Sequence, residues 1–182
     1  MIHKETYPTN IQEGQWDEKT CVRRQSGFVV DETNLASNLR WLPKGAPLAI
    51  LESGKVAVVK TAKLYEAAAA SATSIKVYKS HALVTGNKIG GSTISAINTE
   101  NTDYDVLTIS ALSKKADKDS VLDDGNASKV IGLNYATIEL DGQQSCTATV
   151  QAYEIDEDSL PYPLSDDIKT ALTSRHAFKV NY

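Results

Sequence analysis

Short runs of alternating apolar and polar residues occupy much of the chain after residue 44. Such period-two alternation is typical of strands with one buried face. It predicts a hairpin with strands at 47–51 and 56–59 and a turn at Ser53 and Gly54. Further strands are predicted at 74–79, 93–98, 104–109 and 176–180.

The strongest local hairpin signal is Asp141-Gly142, which separates the β-rich runs 133–140 and 146–155. Residues 116–128 are rich in aspartate and are predicted to form a loop. A short helix is predicted from its cap at Ser165 to about residue 174. Together these patterns predict a mainly β fold, a small β-sandwich or partly closed barrel with one short C-terminal helix.

Residues 1–44 differ from the rest of the chain in the pattern of their charged and apolar residues. They carry six basic and six acidic residues and show no sustained apolar period. Their large apolar side chains are isolated from one another, so the segment cannot form a core of its own. We therefore predict an extended N-terminal arm over 1–44 and a β-rich domain over 45–182, with the arm anchored on its own domain or on a neighbour.

The arm contains tryptophan and arginine, the residue types that contribute most to binding energy at protein interfaces. The candidate partner-contact residues are Trp16, Arg23, Arg24, Phe28, Arg40 and Trp41. In the alternative interpretation the arm folds back and its two tryptophans fill gaps in their own domain. The sequence leaves both interpretations open.

Charge and hydropathy narrow the range of partners. The 182 residues include 19 basic and 23 acidic side chains, a net charge of -4, and the basic residues are interspersed with acids. A nucleic-acid partner is not expected, because neutralising phosphates requires clustered positive charge. No run approaches the roughly 20 apolar residues of a membrane span, and the start lacks a secretory signal. We therefore expect no membrane partner and synthesis in a cytoplasm.

Motifs that would indicate catalysis are missing from the sequence. The three histidines, His3, His81 and His176, are scattered, with no spacing suited to a metal site. Glycine-rich phosphate loops are also missing, so we expect no metal, no cofactor and no enzymatic activity. Cys21 and Cys146 are expected to be unpaired thiols, although a disulfide between them stays open.

Several stretches of the chain are similar to one family of proteins. The segments are 42–48, 54–60, 74–89, 160–164 and 175–180. Together they resemble capsid decoration and head-fibre proteins of tailed bacteriophages. The chain departs from a complete head fibre in lacking a repetitive or coiled shaft, so a compact decoration protein or the capsid-binding base of a fibre fits better.

The resemblance implies a β domain on the outer surface of an icosahedral shell, often as a trimer, with an extended segment contacting the shell. The expected function is that of a non-enzymatic virion structural protein, made in the cytoplasm of a bacterial host. It would bind the major capsid protein as a homotrimer through many weak contacts.

Two alternatives stay open at this stage. One is a carbohydrate-binding or adhesin module, and the other is a small hydrolase that uses two carboxylates. The sequence shows no aromatic-rich cleft for either, because its two tryptophans lie within residues 1–44.

Overall fold

β-Strands dominate the computed structural model, which describes residues 15–24, 27–33, 35–36, 39–140 and 145–179. The predicted mainly β fold with one short C-terminal helix is confirmed, and the strands curl into a half-barrel. Over these same residues, no helix has the length and apolar character needed to cross a membrane. The strands are β1 Val22–Arg23, β2 Phe28–Val29, β3 Trp41–Leu42, β4 Pro47–Ile50, β5 Val56–Val58, β6 Thr61–Lys63, β7 Ser74–Tyr78, β8 Lys88–Ile89, β9 Ser92–Asn98, β10 Tyr104–Ile109, β11 Val121–Asp123, β12 Val130–Leu133, β13 Ile138–Glu139, β14 Ser145–Cys146, β15 Thr149–Ile155 and β16 His176–Phe178. The helix α1 spans Asp166–Ala171, and 3-10 turns lie at Ala127–Lys129 and Glu157–Ser159.

The middle of the chain forms a four-stranded antiparallel sheet in the order β7-β10-β9-β8. Ile75 and Val77 of β7 are buried, and the residues that alternate with them point to the other face. The buried face packs into a core of Ala62, Leu64, Ala68, Ile75, Val77, Leu83, Ile89, Ile94, Leu107, Ile109 and Leu112. The strands predicted at 74–79, 93–98 and 104–109 therefore agree with the structure to within one residue at each end.

The predicted loop at 116–128 is wrong in one part, because β11 lies within it. This strand pairs antiparallel with β6, more than fifty residues earlier in the chain. Its two apolar residues, Val121 and Leu122, are too few to produce a periodic signal. The pairing is long-range, so local sequence did not predict it.

The hairpin predicted at 47–59 is present as β4 and β5, with β12 on the other side of β4. Gly54 in its turn has a φ of +79°, which glycine adopts without strain. Where β12 crosses β15, Gly132 lies so close to the neighbouring backbone that a Cβ would stand 2.1 Å from the Thr149 carbonyl oxygen. A residue without a side chain is therefore required at 132.

The C-terminal helix begins as predicted, with the Ser165 hydroxyl accepting a hydrogen bond from the Ile168 amide at 3.3 Å. It ends at Ala171, earlier than predicted, and Thr173 just beyond it has a φ of +66°. The chain then enters β16, which pairs parallel with β15. The helix closes a second core of Trp16, Ala49, Val59, Ala127, Val130, Leu133, Ala152, Ile155, Leu164, Ile168 and Leu172.

The turn predicted at Asp141-Gly142 lies outside the described residues. At the base of this hairpin, Asn134 is opposite Ala148 in an antiparallel bridge. Toward the turn the two sides separate, because β13 pairs with β3 and β14 pairs with β2. Thus β2 and β3, from the N-terminal segment (residues 15–44 where described), pair with the two sides of the hairpin where these would otherwise pair with each other.

The described part of residues 15–44 is therefore built into the domain. Besides β2 and β3, β1 pairs antiparallel with β15. The Asn134 amide donates hydrogen bonds to the carbonyl oxygens of Leu42 at 3.3 Å and Pro43 at 2.9 Å, which fixes the end of the segment. Where described, residues 15–44 thus lie on their own domain, through pairing with β13, β14 and β15 and through a parallel bridge between Val30 and Val56.

Candidate functional site

Trp16 is a core residue. Its side chain is 3% exposed and packs with the apolar side chains of α1 and β15. The Asp17 amide donates to the Tyr153 carbonyl at 3.0 Å, and the Lys44 ammonium lies 4.5 Å from the centre of the indole ring. The expectation that Trp16 contacts a partner is therefore corrected, and the interpretation in which it fills its own domain holds.

The other five candidate contact residues divide into two groups. Phe28 and Trp41 are half-buried, and Phe28 packs against the apolar cluster around Leu42 and Val56. Arg40 is exposed and forms an ion pair with Glu139 at 2.9 Å, with its guanidinium 5.7 Å from the Trp41 ring centre. Their contacts within the domain account for all three residues.

Arg23 and Arg24 remain on the surface, at the end of β1, the outer strand of the sheet β1-β15-β16 and the strand that Arg24 directly follows. The Arg23 guanidinium lies 5.2 Å from the centre of the Tyr135 ring. Two apolar side chains accompany them: Val22 is 49% exposed and Tyr153 of β15 is 37% exposed. We call Val22, Arg23, Arg24 and Tyr153 the contact edge.

The contact edge has two properties of a binding surface. Val22 is opposite Gln151 in the sheet, and Tyr153 lies two residues further along β15, so alternation places Val22 and Tyr153 on the same face. Within the described residues, β1 also has no strand on its outer side. An unpaired strand edge flanked by an aromatic ring and two arginines suits an acidic partner that offers backbone hydrogen bonds.

His81 has the partners of a catalytic histidine without the freedom to act as one. Its Nε2 lies 3.0 Å from Asp105 Oδ2, and its Nδ1 accepts a hydrogen bond from the Leu83 amide at 3.3 Å. The second oxygen of Asp105 binds the Lys79 ammonium at 2.6 Å. Burial lowers the pKa of His81, against the opposing effect of the Asp105 charge. Both ring nitrogens are engaged, so the cluster has a structural role.

His176 forms a similar closed arrangement in β16. Its Nδ1 donates to the Leu172 carbonyl at 2.6 Å, and its Nε2 lies 3.0 Å from Thr149 Oγ1. Thr149 is fully buried and also accepts a hydrogen bond from the Leu133 amide at 2.9 Å. Burial lowers the pKa of His176. A threonine with no exposed surface cannot attack a substrate, so this pair also has a structural role.

Cys21 and Cys146 are both free thiols, which settles the question that the sequence left open. Burial, followed by the nearby Glu18 charge, raises the pKa of Cys21 to about 11, and burial raises the pKa of Cys146 to about 11. Both side chains are therefore protonated near neutral pH and are poor nucleophiles. Across the residues that the structure describes, no group of three or more His, Cys, Asp or Glu side chains is placed to hold a metal ion.

Three tyrosines that the sequence did not single out meet on the outer face of β7 and β10. The rings of Tyr65 and Tyr78 are 5.2 Å apart at 68°, and those of Tyr65 and Tyr104 are 4.8 Å apart at 36°. Tyr104 is directly opposite Tyr78 in the register, and Tyr65 joins them because its amide donates to the Lys76 carbonyl at 2.9 Å. We call Tyr65, Tyr78 and Tyr104 the tyrosine cluster.

Charged side chains surround the tyrosine cluster. The ammonium groups of Lys63 and Lys76 lie 5.7 Å and 5.2 Å from the ring centres of Tyr78 and Tyr104. The Tyr78 hydroxyl donates to Asp119 Oδ1 at 3.3 Å. Burial, followed by the Asp119 charge, raises the pKa of Tyr78, which keeps its hydroxyl a donor. The cluster is thus an aromatic surface with both donors and acceptors at its rim.

A pocket of about 380 Å³ opens beside the tyrosine cluster. Lys63 and Asp119, which both contact Tyr78, also line this pocket. Its lining residues are Lys63, Asp119, Ser120, Val121, Glu157, Asp158, Pro163, Leu164, Asp166 and Lys169. Two of its carboxylates are paired with lysines: Asp119 with Lys63 at 3.8 Å and Glu157 with Lys169 at 2.6 Å. These ion pairs engage two of the four carboxylate side chains that line the pocket.

Family models, curated protein sequences and solved structures all give no match to this chain. Its function must therefore be argued from its own surfaces.

The sequence pointed to only part of these surfaces. It singled out Arg23 and Arg24 by residue type, whereas the exposure of Val22 and Tyr153 depends on pairing across more than 120 residues. The tyrosine cluster had one visible signal, since Tyr78 alternates with the buried Ile75 and Val77. Tyr65 and Tyr104 join it only through register and a loop contact.

Proposed function

We propose that this protein is a non-enzymatic virion structural protein that binds the outer surface of a bacteriophage capsid, as a decoration protein or the base of a head fibre. The resemblance of segments 42–48, 54–60, 74–89, 160–164 and 175–180 to such proteins supports the virion assignment. The observation that carries the binding role is the contact edge, where β1 has no outer neighbour and Val22 and Tyr153 are exposed.

The chemistry of the contact edge fits attachment to another protein. An outer strand can extend the sheet of a partner through backbone hydrogen bonds, and an aromatic ring adds buried area. Arg23 and Arg24 favour an acidic partner surface, in this proposal that of the major capsid protein.

Attachment by several copies explains how so small a surface suffices. A homotrimer would place three contact edges on neighbouring capsid subunits, and effective concentration would turn three weak contacts into a long residence time. The trimer is part of the proposal. Native mass spectrometry of the free protein measures it, and a monomer at micromolar concentration would contradict it.

Co-sedimentation with purified capsids of the parent phage tests the binding role. We expect the double variant Arg23→Glu/Arg24→Glu to lose at least tenfold in affinity, because both side chains are exposed and the change reverses the charge of the contact edge. The matched control is Lys114→Glu/Lys118→Glu, which makes the same charge change at two exposed lysines elsewhere. Equal losses in the two variants would mean that net charge matters and the contact edge does not.

A second candidate function, carbohydrate binding, is favoured by the tyrosine cluster and its pocket. Aromatic rings present apolar faces to the C–H groups of a sugar, and the neighbouring lysine and carboxylate groups can bond its hydroxyls. A glycan array tests this with Tyr65→Ala and Tyr104→Ala against Tyr153→Ala, which removes an exposed tyrosine far from the cluster along the chain. Saturable binding that only the first two variants abolish would support a sugar site. If the wild-type protein bound no glycan on the array, carbohydrate binding would be excluded as a function.

A further inference from the structure

Lys60 is the one lysine or arginine that is buried among the described residues, with 5% of its surface exposed. It lies between β5 and β6, where its backbone amide donates to Asp124 Oδ2 at 3.0 Å. Burying most of a lysine side chain disfavours its charged form unless charged or polar groups compensate for the lost water, and the Lys60 ammonium itself still reaches solvent.

The Lys60 ammonium makes neither an ion pair nor a hydrogen bond with any described residue. Asp124 is near but otherwise engaged, since Oδ2 accepts from the Lys60 amide and Oδ1 accepts from the Asn126 amide at 3.0 Å. Burial lowers the pKa of Lys60, and the charges of Asp124 and Asp31 oppose this without cancelling it. The side chain thus lacks a direct counter-charge.

Lys60 lines a pocket of about 240 Å³, whose other lining residues are Gly86, Asn87, Lys88, Asp124 and Asn126. We call this the Lys60 pocket. The Asn87 Oδ1 accepts a hydrogen bond from the Val84 amide at 3.0 Å, which leaves the amide nitrogen of the same side chain as a donor. The pocket therefore combines two ammonium groups and the Asn87 amide donor with one carboxylate, that of Asp124, whose two oxygens already accept backbone amides.

We propose that the Lys60 pocket binds an oxyanion between Lys60 and Lys88, either a free ion or the carboxylate of an acidic partner chain. Ammonium and amide donors are the groups that recognise such oxygens. At roughly 30 Å³ for each water molecule, the pocket has room for one tetrahedral anion or one acidic side chain with a few waters. This site is independent of the contact edge.

Sulfate is the probe of choice, because it does not titrate near neutral pH. We expect saturable shifts of the backbone amide resonances of residues 86–88 and 124–126 when sulfate is added to the 15N-labelled full chain. Lys60→Met should weaken the apparent affinity at least tenfold, and Lys88→Met severalfold. The control Lys55→Met changes an exposed lysine and should leave it unaltered. Shifts that grow linearly without saturation, or equal affinity in Lys60→Met, would overturn the proposal.

A second readout keeps the test valid if Lys60→Met does not fold. A bound anion favours the charged form of a neighbouring lysine, so the pKa of Lys60, followed through its 13Cε resonance in the wild type, should rise as sulfate is added. An unchanged pKa at saturating sulfate would also overturn the proposal.

Acetate and a hexaglutamate peptide distinguish the two sources of the anion. Both carry carboxylates, and only the peptide carries the flanking backbone of a protein ligand. Tighter binding of the peptide than of acetate, lost in Lys60→Met, would indicate an acidic partner chain. Equal affinity of acetate and peptide per carboxylate would indicate a free small ion.

Discussion

The four-stranded sheet and the N-terminal segment are built in opposite ways. Strands β7 to β10 pair within a stretch of 36 residues and enclose their own apolar cluster. By contrast, β1, β2 and β3 pair with β15, β14 and β13, 96 to 129 residues away along the chain. Closing so long a loop costs conformational entropy that only a shared core can offset. The N-terminal segment thus depends on the C-terminal third, whereas the sheet depends mainly on itself.

The two regions also present different surfaces. The four-stranded sheet carries the tyrosine cluster, whose side chains pair with one another and with nearby lysines. The N-terminal segment carries the contact edge, which is apolar and basic and lacks an outer strand among the described residues. A partner that binds the contact edge would therefore stabilise the junction between the two ends of the chain.

The largest expected effect comes from removing the side chain that fixes the N-terminal segment. Trp16→Ala should lower the free energy of unfolding by about 3–5 kcal/mol, because a fully buried aromatic ring is lost and a cavity remains. Urea unfolding followed by circular dichroism measures it. Trp41→Ala is the matched control and should have a smaller effect, since Trp41 is only half-buried. Equal losses would mean that the segment is not anchored at Trp16.

The next effect tests the close crossing of β12 and β15. Gly132→Ala should cost about 1–3 kcal/mol of stability, because the new Cβ would stand 2.1 Å from the Thr149 carbonyl oxygen and the backbones must separate. Gly54→Ala is the control, since nothing lies within 4 Å of its Cβ position and only its positive φ is strained. Thermal unfolding compares the two. A larger loss in Gly54→Ala would contradict the crossing.

Acidification should weaken the fold at His81, beside the four-stranded sheet, and at His176, in β16. The folded-state pKa values of His81 and His176 are lowered by burial, so each unfolded imidazole binds a proton more readily than the folded one. The stability contributed by each neutral ring is present above the unfolded pKa of about 6.5 and is lost as the pH falls toward the folded pKa. Urea unfolding between pH 7.5 and 5 should show this decline, and His81→Gln and His176→Gln should each flatten it. A decline that both variants leave unchanged would assign it to other groups.

The smallest effect concerns a contact that joins the C-terminal helix to β11. The Ser165 hydroxyl caps α1 and also donates to Asp123 Oδ2 of β11 at 3.0 Å. Ser165→Ala should cost about 1 kcal/mol, whereas Ser174→Ala, at an exposed position after the helix, should be near neutral. Chemical denaturation resolves the difference, and a neutral Ser165→Ala would show that neither role contributes.

The contrast between local and long-range strand pairing explains which parts of the fold the sequence could predict. The hairpin at β4 and β5, the strands β7, β9 and β10 and the cap at Ser165 are local features, visible in alternation and turn residues. The pairing of β1 with β15 and of β11 with β6 is not local, and two-residue or three-residue strands carry no period.

The candidate site residues also divide into those visible in the local sequence and those that depend on long-range contacts. Arg23 and Arg24 were predictable as residue types, but the sequence left Trp16 between a partner contact and the core, because its burial depends on a core assembled from both ends of the chain. Lys60 gave no signal, since a lysine next to a strand is ordinarily exposed.

A cryo-electron microscopy map of the protein mixed with the bacteriophage capsids that we propose it binds would test the central claim most directly. If the proposal is right, Val22 to Arg24 and Tyr153 lie against the capsid shell. A map with the contact edge in solvent and another face on the shell would contradict it.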